Sequence, residues 1–374
     1  MTWLTIRSAL LSLFLPLARV GVFLLYYGVF FDGSWTFKDD WTYLERGQAL
    51  LEQGVSVTNL FAHLPELFST AGGKHFVFYL FNADAFRFFG ADYYAPVALN
   101  IVLTFVAAGF MVAAARAGLD VPRRLAKALF AVIVLYPDVV AWSTIMNGKD
   151  TLVTTGTAMA AYAVSQTGVG HYWRAVTLGV LIGFVLFFTR FYVPLMMLLA
   201  LVSALMFSPT GGRRIGLWVL ALTGLASVLS VLGVAGLVDA LSRLEEGWVS
   251  PLYGVPRYLL TPIPFNTTDK YSFLDLPQML YWLLMPFMLY GMYRVWRRAT
   301  LTARFVILYF VGMVLLYAMF GNLQGPRHRY QLDLFIVLFQ LLGLVSVLHQ
   351  MGISHVAVLR SGMRANSART GAGT

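Results

Sequence analysis

The stretch YAPVALNIVLTFVAAGFMVAAA, Tyr94 to Ala115, runs for 22 residues without a charge and is closed by Arg116. A helix of that length is long enough for the roughly 30 Å hydrocarbon layer of a bilayer. Similar apolar runs lie on either side of it: Leu10–Phe31 before, then Ala126–Trp142, Thr151–Ser165, Ala175–Phe188, Phe191–Phe207, Ile215–Leu237, Leu276–Tyr293, Phe305–Phe320 and Leu332–Leu348. Several fall short of the ~20 residues of a full span, so their ends are set by flanking charges. Over all 374 residues the chain is 59% hydrophobic and 12% charged, with a mean hydropathy of +0.72. A soluble domain is nearer half apolar and a quarter charged. The expected class is an all-α, polytopic transmembrane protein of about ten spans. Residues 1–360 form one membrane domain, and the small, polar stretch 361–374 reads as a disordered cytoplasmic tail.

Charge decides the orientation. Arg7, the group Arg116, Arg123, Arg124 and Lys127, then Arg174, Arg213, Arg214, Arg294, Arg297, Arg298, Arg304, Arg360, Arg364 and Arg369 fall in alternate connections. The positive-inside rule makes that side cytoplasmic and puts both termini there. Nearly every acid then lies on the other side, from Asp32, Asp39 and Asp40 through Asp138 and Asp150 to Asp275, with Asp120 as the exception. The net charge of +10 is thereby an orientation signal met by anionic inner-leaflet lipid, not a nucleic-acid footprint. The first run follows a single Arg and lacks a small-residue cleavage site, so it reads as a retained signal anchor. The absence of cysteine excludes disulfides, thiolate catalysis and cysteine-held metal clusters. The six histidines show no zinc-ligand spacing.

Two connections are long, about 32–93 and 238–275, both on the outer side. Long loops in a compact chain are functional or disordered, and these are too aromatic for disorder. The first holds an amphipathic stretch, Tyr43 to Glu52, and an aromatic one, His75 to Phe81, expected as short helices lying in the membrane interface. The second carries Pro251, Pro256, Pro262 and Pro264 among aromatics and is expected as an irregular lid. No internal repeat of the kind that builds transporters is present.

Three groups of residues carry chemistry. The first is Asp39-Asp40-Trp41-Thr42-Tyr43, eight residues past the first run. A carboxylate at headgroup level can serve as general base toward a hydroxyl; alternatively one or both acids cap a helix starting near Trp41. The second is Tyr136-Pro137-Asp138 through Trp142-Ser143, followed by Asn147-Gly148-Lys149-Asp150 at the start of a span. Helix-end N–H groups plus the Lys149 charge make a phosphate seat, unless Lys149 and Asp150 simply pair. It is not a P-loop, since Ser143 and Asp150 stand where Gly and Ser or Thr belong. The third is cationic: Arg190 with Tyr192, and Arg327-His328-Arg329 at the mouth of the last run. An intramembrane Arg costs about 2.5–3.5 kcal/mol at mid-span on the insertion scale, so it needs either a partner or a path to the headgroups. Arg forks suit phosphate oxygens. Arg19, mid-run near Pro16, needs a partner too.

An outer loop opening on an acidic pair, interfacial helices after it and many further spans resembles the GT-C superfamily of membrane glycosyltransferases. That resemblance covers the layout of most of the chain, with Asp39 and Asp40 as its only motif. It implies a polyprenyl-phosphate-linked sugar donor, a glycan, lipid or protein acceptor, and a bacterial inner membrane with the site on the outer face. It implies Asp39 or Asp40 as catalytic base, with room for Mg or Mn on the pair. The Pro-Asp, Trp-Ser and Lys-Asp pattern of residues 137–150 is similar to envelope polysaccharide proteins related to GT-C enzymes and O-antigen polymerases. On this reading Lys149, Asp150, Asp138, Arg190, Tyr192, Arg327, His328, Arg329 and Tyr43 bind substrate. An O-antigen polymerase or ligase-like enzyme, or a lipid-linked sugar flippase, would use the cations differently.

Overall fold

Each apolar run except Ile215–Leu237 falls on a described helix, and helix is the only regular structure among the described residues apart from one bridge, Trp248 to Phe320. The computed structural model describes residues 3–31, 38–71, 75–208, 248–267, 269–320 and 325–353, with isolated positions between 216 and 226; for 3–12, 38, 39, 269 and 270 it describes the backbone alone. The run 215–237 lies largely outside the described residues, and the tail 361–374 entirely so.

In chain order the helices are α1 (Trp3–Leu25, continued by a π turn Tyr26–Phe30), α2 (Lys38–Glu52), α3 (Leu64–Ala71), α4 (Phe76–Phe89), α5 (Tyr94–Leu119), α6 (Arg123–Leu135), α7 (Pro137–Ile145), α8 (Asp150–Gly168), α9 (Tyr172–Phe187), α10 (Tyr192–Phe207), α11 (Pro251–Leu260), α12 (Asp275–Trp296), α13 (Leu301–Met319), α14 (Pro326–Tyr330) and α15 (Asp333–Gln350). Among the described residues Leu13–Phe30, Tyr94–Leu119, Leu301–Met319 and Asp333–Gln350 are long and apolar enough to cross a membrane. The pair α6 and α7 makes a fifth if counted as one broken span, while α9 and α10 are apolar but shorter.

The run 126–142 breaks where its proline stands. Pro137 has no N–H to give back to the preceding turn. The chain therefore leaves the helix at Tyr136, whose backbone is extended, and resumes at an angle of 45°. The second long connection is more ordered than its prolines imply. Pro251 occupies the first turn of α11, where a missing N–H costs nothing, and α11 packs along α13 with Tyr258 buried.

The Thr300 hydroxyl accepts from Ala303 N–H at 3.1 Å, capping α13, and donates to the Gly118 carbonyl of α5 at 2.8 Å. The main core joins α5 to α15; a smaller cluster joins α2, α3 and α4 through Tyr43, Leu50, Leu67 and Phe78. The face of α1 bearing Leu13, Phe14, Leu17 and Leu24 is exposed, as suits lipid. α12 and α15 cross with their backbones touching: a Cβ on Gly291 would strike the Phe339 carbonyl, and one on Gly343 the Phe287 carbonyl. Small residues at such crossings allow the close approach that drives helix packing in lipid. An apolar cavity of about 540 Å³ runs between α8, α9, α10 and α13, lined by Gly179, Gly183, Phe184, Phe188, Met197 and Phe305 among others.

Candidate functional site

Asp150 opens α8 and sits buried at the meeting point of three distant segments. One carboxylate oxygen accepts from Arg190 Nη2 at 2.6 Å and the other from Arg327 Nε at 2.6 Å. Gln331 Nε2 donates to the same oxygen as Arg190. The second face of the clamp is phenolic: Arg190 Nη1 donates to Tyr192 OH at 2.8 Å, Tyr192 and Tyr317 hydroxyls lie 3.3 Å apart, and Tyr317 OH donates to Gln331 Oε1 at 2.6 Å. Two guanidinium groups on one carboxylate leave a local excess of positive charge. Burial opposes the charge on Arg327, but Asp150 outweighs it, with smaller contributions from Tyr43 and Asp40 among others, so its affinity for the proton is raised. Asp150 thus pairs with the arginines and not with its neighbour Lys149.

Lys149 stands at the N-cap of α8, with its ammonium 3.1 Å from His75 Nε2 and 5.5 Å from the centre of the Tyr43 ring. Asp40 lies inside the first turn of α2, since that helix begins at Lys38 and not at Trp41. The carboxylate is buried, accepting from Tyr93 OH at 2.8 Å and from Asn147 N–H at 3.3 Å. Asn147 Nδ2 in turn donates to Asn82 Oδ1 at 2.6 Å, which ties α2 and α4 to the α7–α8 connection. Burial first, then the Asp40 charge, raises the Tyr93 hydroxyl above its ordinary range, so it stays a donor. The Asp39 side chain lies outside the described residues.

His328 leans on the Tyr317 ring with centroids 5.3 Å apart. Burial, then the Arg190 cation, pushes its imidazole down to about 3. Between that value and the ordinary 6.5 the unfolded chain binds a proton that the folded protein does not, so stability is complete above pH 6.5 and falls as the pH is lowered toward 3. Thermal unfolding of the micelle-solubilised protein should therefore lose ground between about pH 7 and pH 5, and His328→Gln should flatten that loss. An equal loss in both proteins would show that His328 is not the group responsible.

The remaining candidates belong elsewhere. Arg329, two residues beyond Arg327, is fully buried on the opposite side of α14. Its Nη2 reaches Asp138 at 3.3 Å and also Gln278, its Nη1 donates to the Thr261 carbonyl at 2.7 Å, and its guanidinium lies 4.5 Å from the Tyr281 ring centre. Asp333 is buried in the same cluster, within electrostatic range of Asp138 and Arg329. Arg19 finds its partner in α7, donating from Nη2 to Ser143 Oγ at 2.5 Å.

Asp40, Tyr43, Lys149, Asp150, Arg190, Tyr192, Arg327 and His328 are thus brought together, whereas Asp138 and Arg329 form a separate buried network. Sequence reasoning missed His75, Gln331, Tyr93 and Tyr317, neutral groups that carry no membrane penalty to draw attention to them. Among the described residues no group of three or more His, Asp or Glu stands together as metal ligands. No protein family, curated protein or solved structure matches this chain.

Proposed function

We propose that this protein is a membrane glycosyltransferase of GT-C type, moving a sugar from a polyprenyl-phosphate carrier to an envelope acceptor at the outer face of a bacterial inner membrane. The observation that carries the reading is the convergence of Asp40, Lys149 and the Arg190–Asp150–Arg327 clamp, drawn from four distant segments. In this reading the bundle has about ten spans with both termini cytoplasmic. Asp39 takes the proton of the acceptor hydroxyl as its oxygen attacks the anomeric carbon with inversion. Asp40, held by Tyr93 and Asn147, orients it. The bond to the lipid phosphate breaks, and Lys149, Arg190 and Arg327 stabilise the charge that develops there. The prenyl chain lies in the apolar cavity, whose Phe188 is two residues from Arg190, each buried methylene contributing about 0.8 kcal/mol.

The buried charges Arg19, Asp138, Arg329 and Asp333 within the bundle favour a second reading, a lipid-linked sugar flippase. An O-antigen polymerase or ligase-like enzyme would instead lean on Arg190, Arg327 and His328. The protein in liposomes, supplied with polyprenyl-phosphate sugars and acceptor glycans, should release free polyprenyl phosphate together with extended acceptor. Movement of intact lipid-linked sugar between leaflets without release would overturn the transferase reading in favour of the flippase.

A further inference from the structure

His75 precedes α4 with a left-handed backbone, φ 57°, an uncommon state for a residue with a side chain. That turn delivers its ring between two other segments. Nδ1 lies 2.9 Å from the Thr189 carbonyl in the α9–α10 connection. A carbonyl can only accept, so Nδ1 carries the hydrogen and the lone pair is on Nε2. Lys149 Nζ is 3.1 Å from Nε2 and 3.3 Å from Nδ1. Near-equal distances to both nitrogens place the ammonium over the ring, not in its plane beside one nitrogen. The Tyr43 ring centre is 5.5 Å from the same ammonium, within the range at which an aromatic face attracts a cation.

We infer that His75 is a positioning residue of the site: its neutral ring holds the Lys149 ammonium toward Tyr43 and fixes it relative to the backbone beside Arg190. Lysine is a flexible side chain with considerable rotamer entropy. Its ordering in the free protein removes a cost otherwise met when an anionic group binds or as charge develops on it. His75 reaches the same backbone segment that presents Arg190, so one side chain sets the spacing between two of the cations. The consequence for a lipid phosphate rests on the glycosyltransferase reading; the His75–Lys149 contact does not.

The test uses the full chain in nanodiscs in two parts. In protein carrying carbon-13 lysine, the side chain of Lys149, assigned with Lys149→Arg, should show a ring-current shift away from the signal of lysine in a short peptide. His75→Ala should move it toward the peptide value; an unmoved signal overturns the inference whether or not the protein is a transferase. With a polyprenyl-phosphate sugar, His75→Ala should lower kcat/KM by up to roughly tenfold, the ordering cost of one long side chain. His75→Phe, which keeps a ring face for Lys149 but loses the donor to Thr189, should recover part of that loss. In a Lys149→Ala background the His75→Ala change should add nothing, whereas additive losses would show that His75 acts elsewhere. A wild-type chain that turns over no donor defeats the transferase reading and leaves the lysine signal to decide the contact.

Discussion

Asp39→Asn and Asp40→Asn are expected to stop turnover while leaving a folded, membrane-inserted protein. A positioned general base contributes about 10²–10⁴-fold, and an amide cannot take the acceptor's proton. Asp39→Asn removes the proposed base, so kcat should fall by that factor with thermal stability near wild type. Asp40→Asn removes a buried charge that accepts from Tyr93 OH and Asn147 N–H. Its amide oxygen can still accept from one of them, so folding survives while the orientation of Asp39 degrades. Release of polyprenyl phosphate by the purified variants checks both. Full activity in the double Asn variant would remove the carboxylate pair from the mechanism.

Asp150→Ala should have the largest effect on folding. Asp150 is the only carboxylate that the described ion pairs offer to Arg190 and Arg327. Taking it away leaves two guanidinium groups in a buried setting, and breaking a buried pair costs about 3–5 kcal/mol. Asp150→Asn should cost less, because the amide oxygen still accepts from one arginine. Thermal unfolding in micelles, read with surface yield in cells, separates the two. An alanine variant as stable as wild type would mean that water replaces the carboxylate, and that the clamp does not hold α8 to α14.

Much of the bundle was legible, for physical reasons that differ by element. Apolar length gave α5, α13 and α15 almost to their ends, since a span has to satisfy its backbone internally. The α6–α7 break was readable too, but the apolar run carried across Pro137 and concealed it. The cationic part of the candidate site was legible where charge is expensive to bury, at Arg190 and Arg327, whereas Asp150 was read only as the neighbour of Lys149 at the start of a span. Arg327 and Arg329 looked alike in sequence, yet two helical steps of 100° separate them by about 200°, and each found a different aspartate. The Asp40 contacts could not be read, because Tyr93 and the Asn147 backbone lie 53 and 107 residues away. Gln331 and His75 escaped notice because neutral side chains leave no trace in a charge pattern.

The five-residue α14 also says something about the order in which the protein is finished. Arg327 joins Asp150 across 177 positions and Arg329 joins Asp138 across 191. During synthesis both aspartates are made and threaded toward the bilayer long before either arginine exists. Arg190 arrives early enough to shield Asp150, but within the described ion pairs Asp138 has only Arg329. Within the described ion pairs, Asp138 therefore has no partner until the last turn before α15 has been made. A chain ending short of residue 325 lacks both arginines, so the contacts that join the α7–α8 region to the segment before α15 depend on nearly the whole sequence being present.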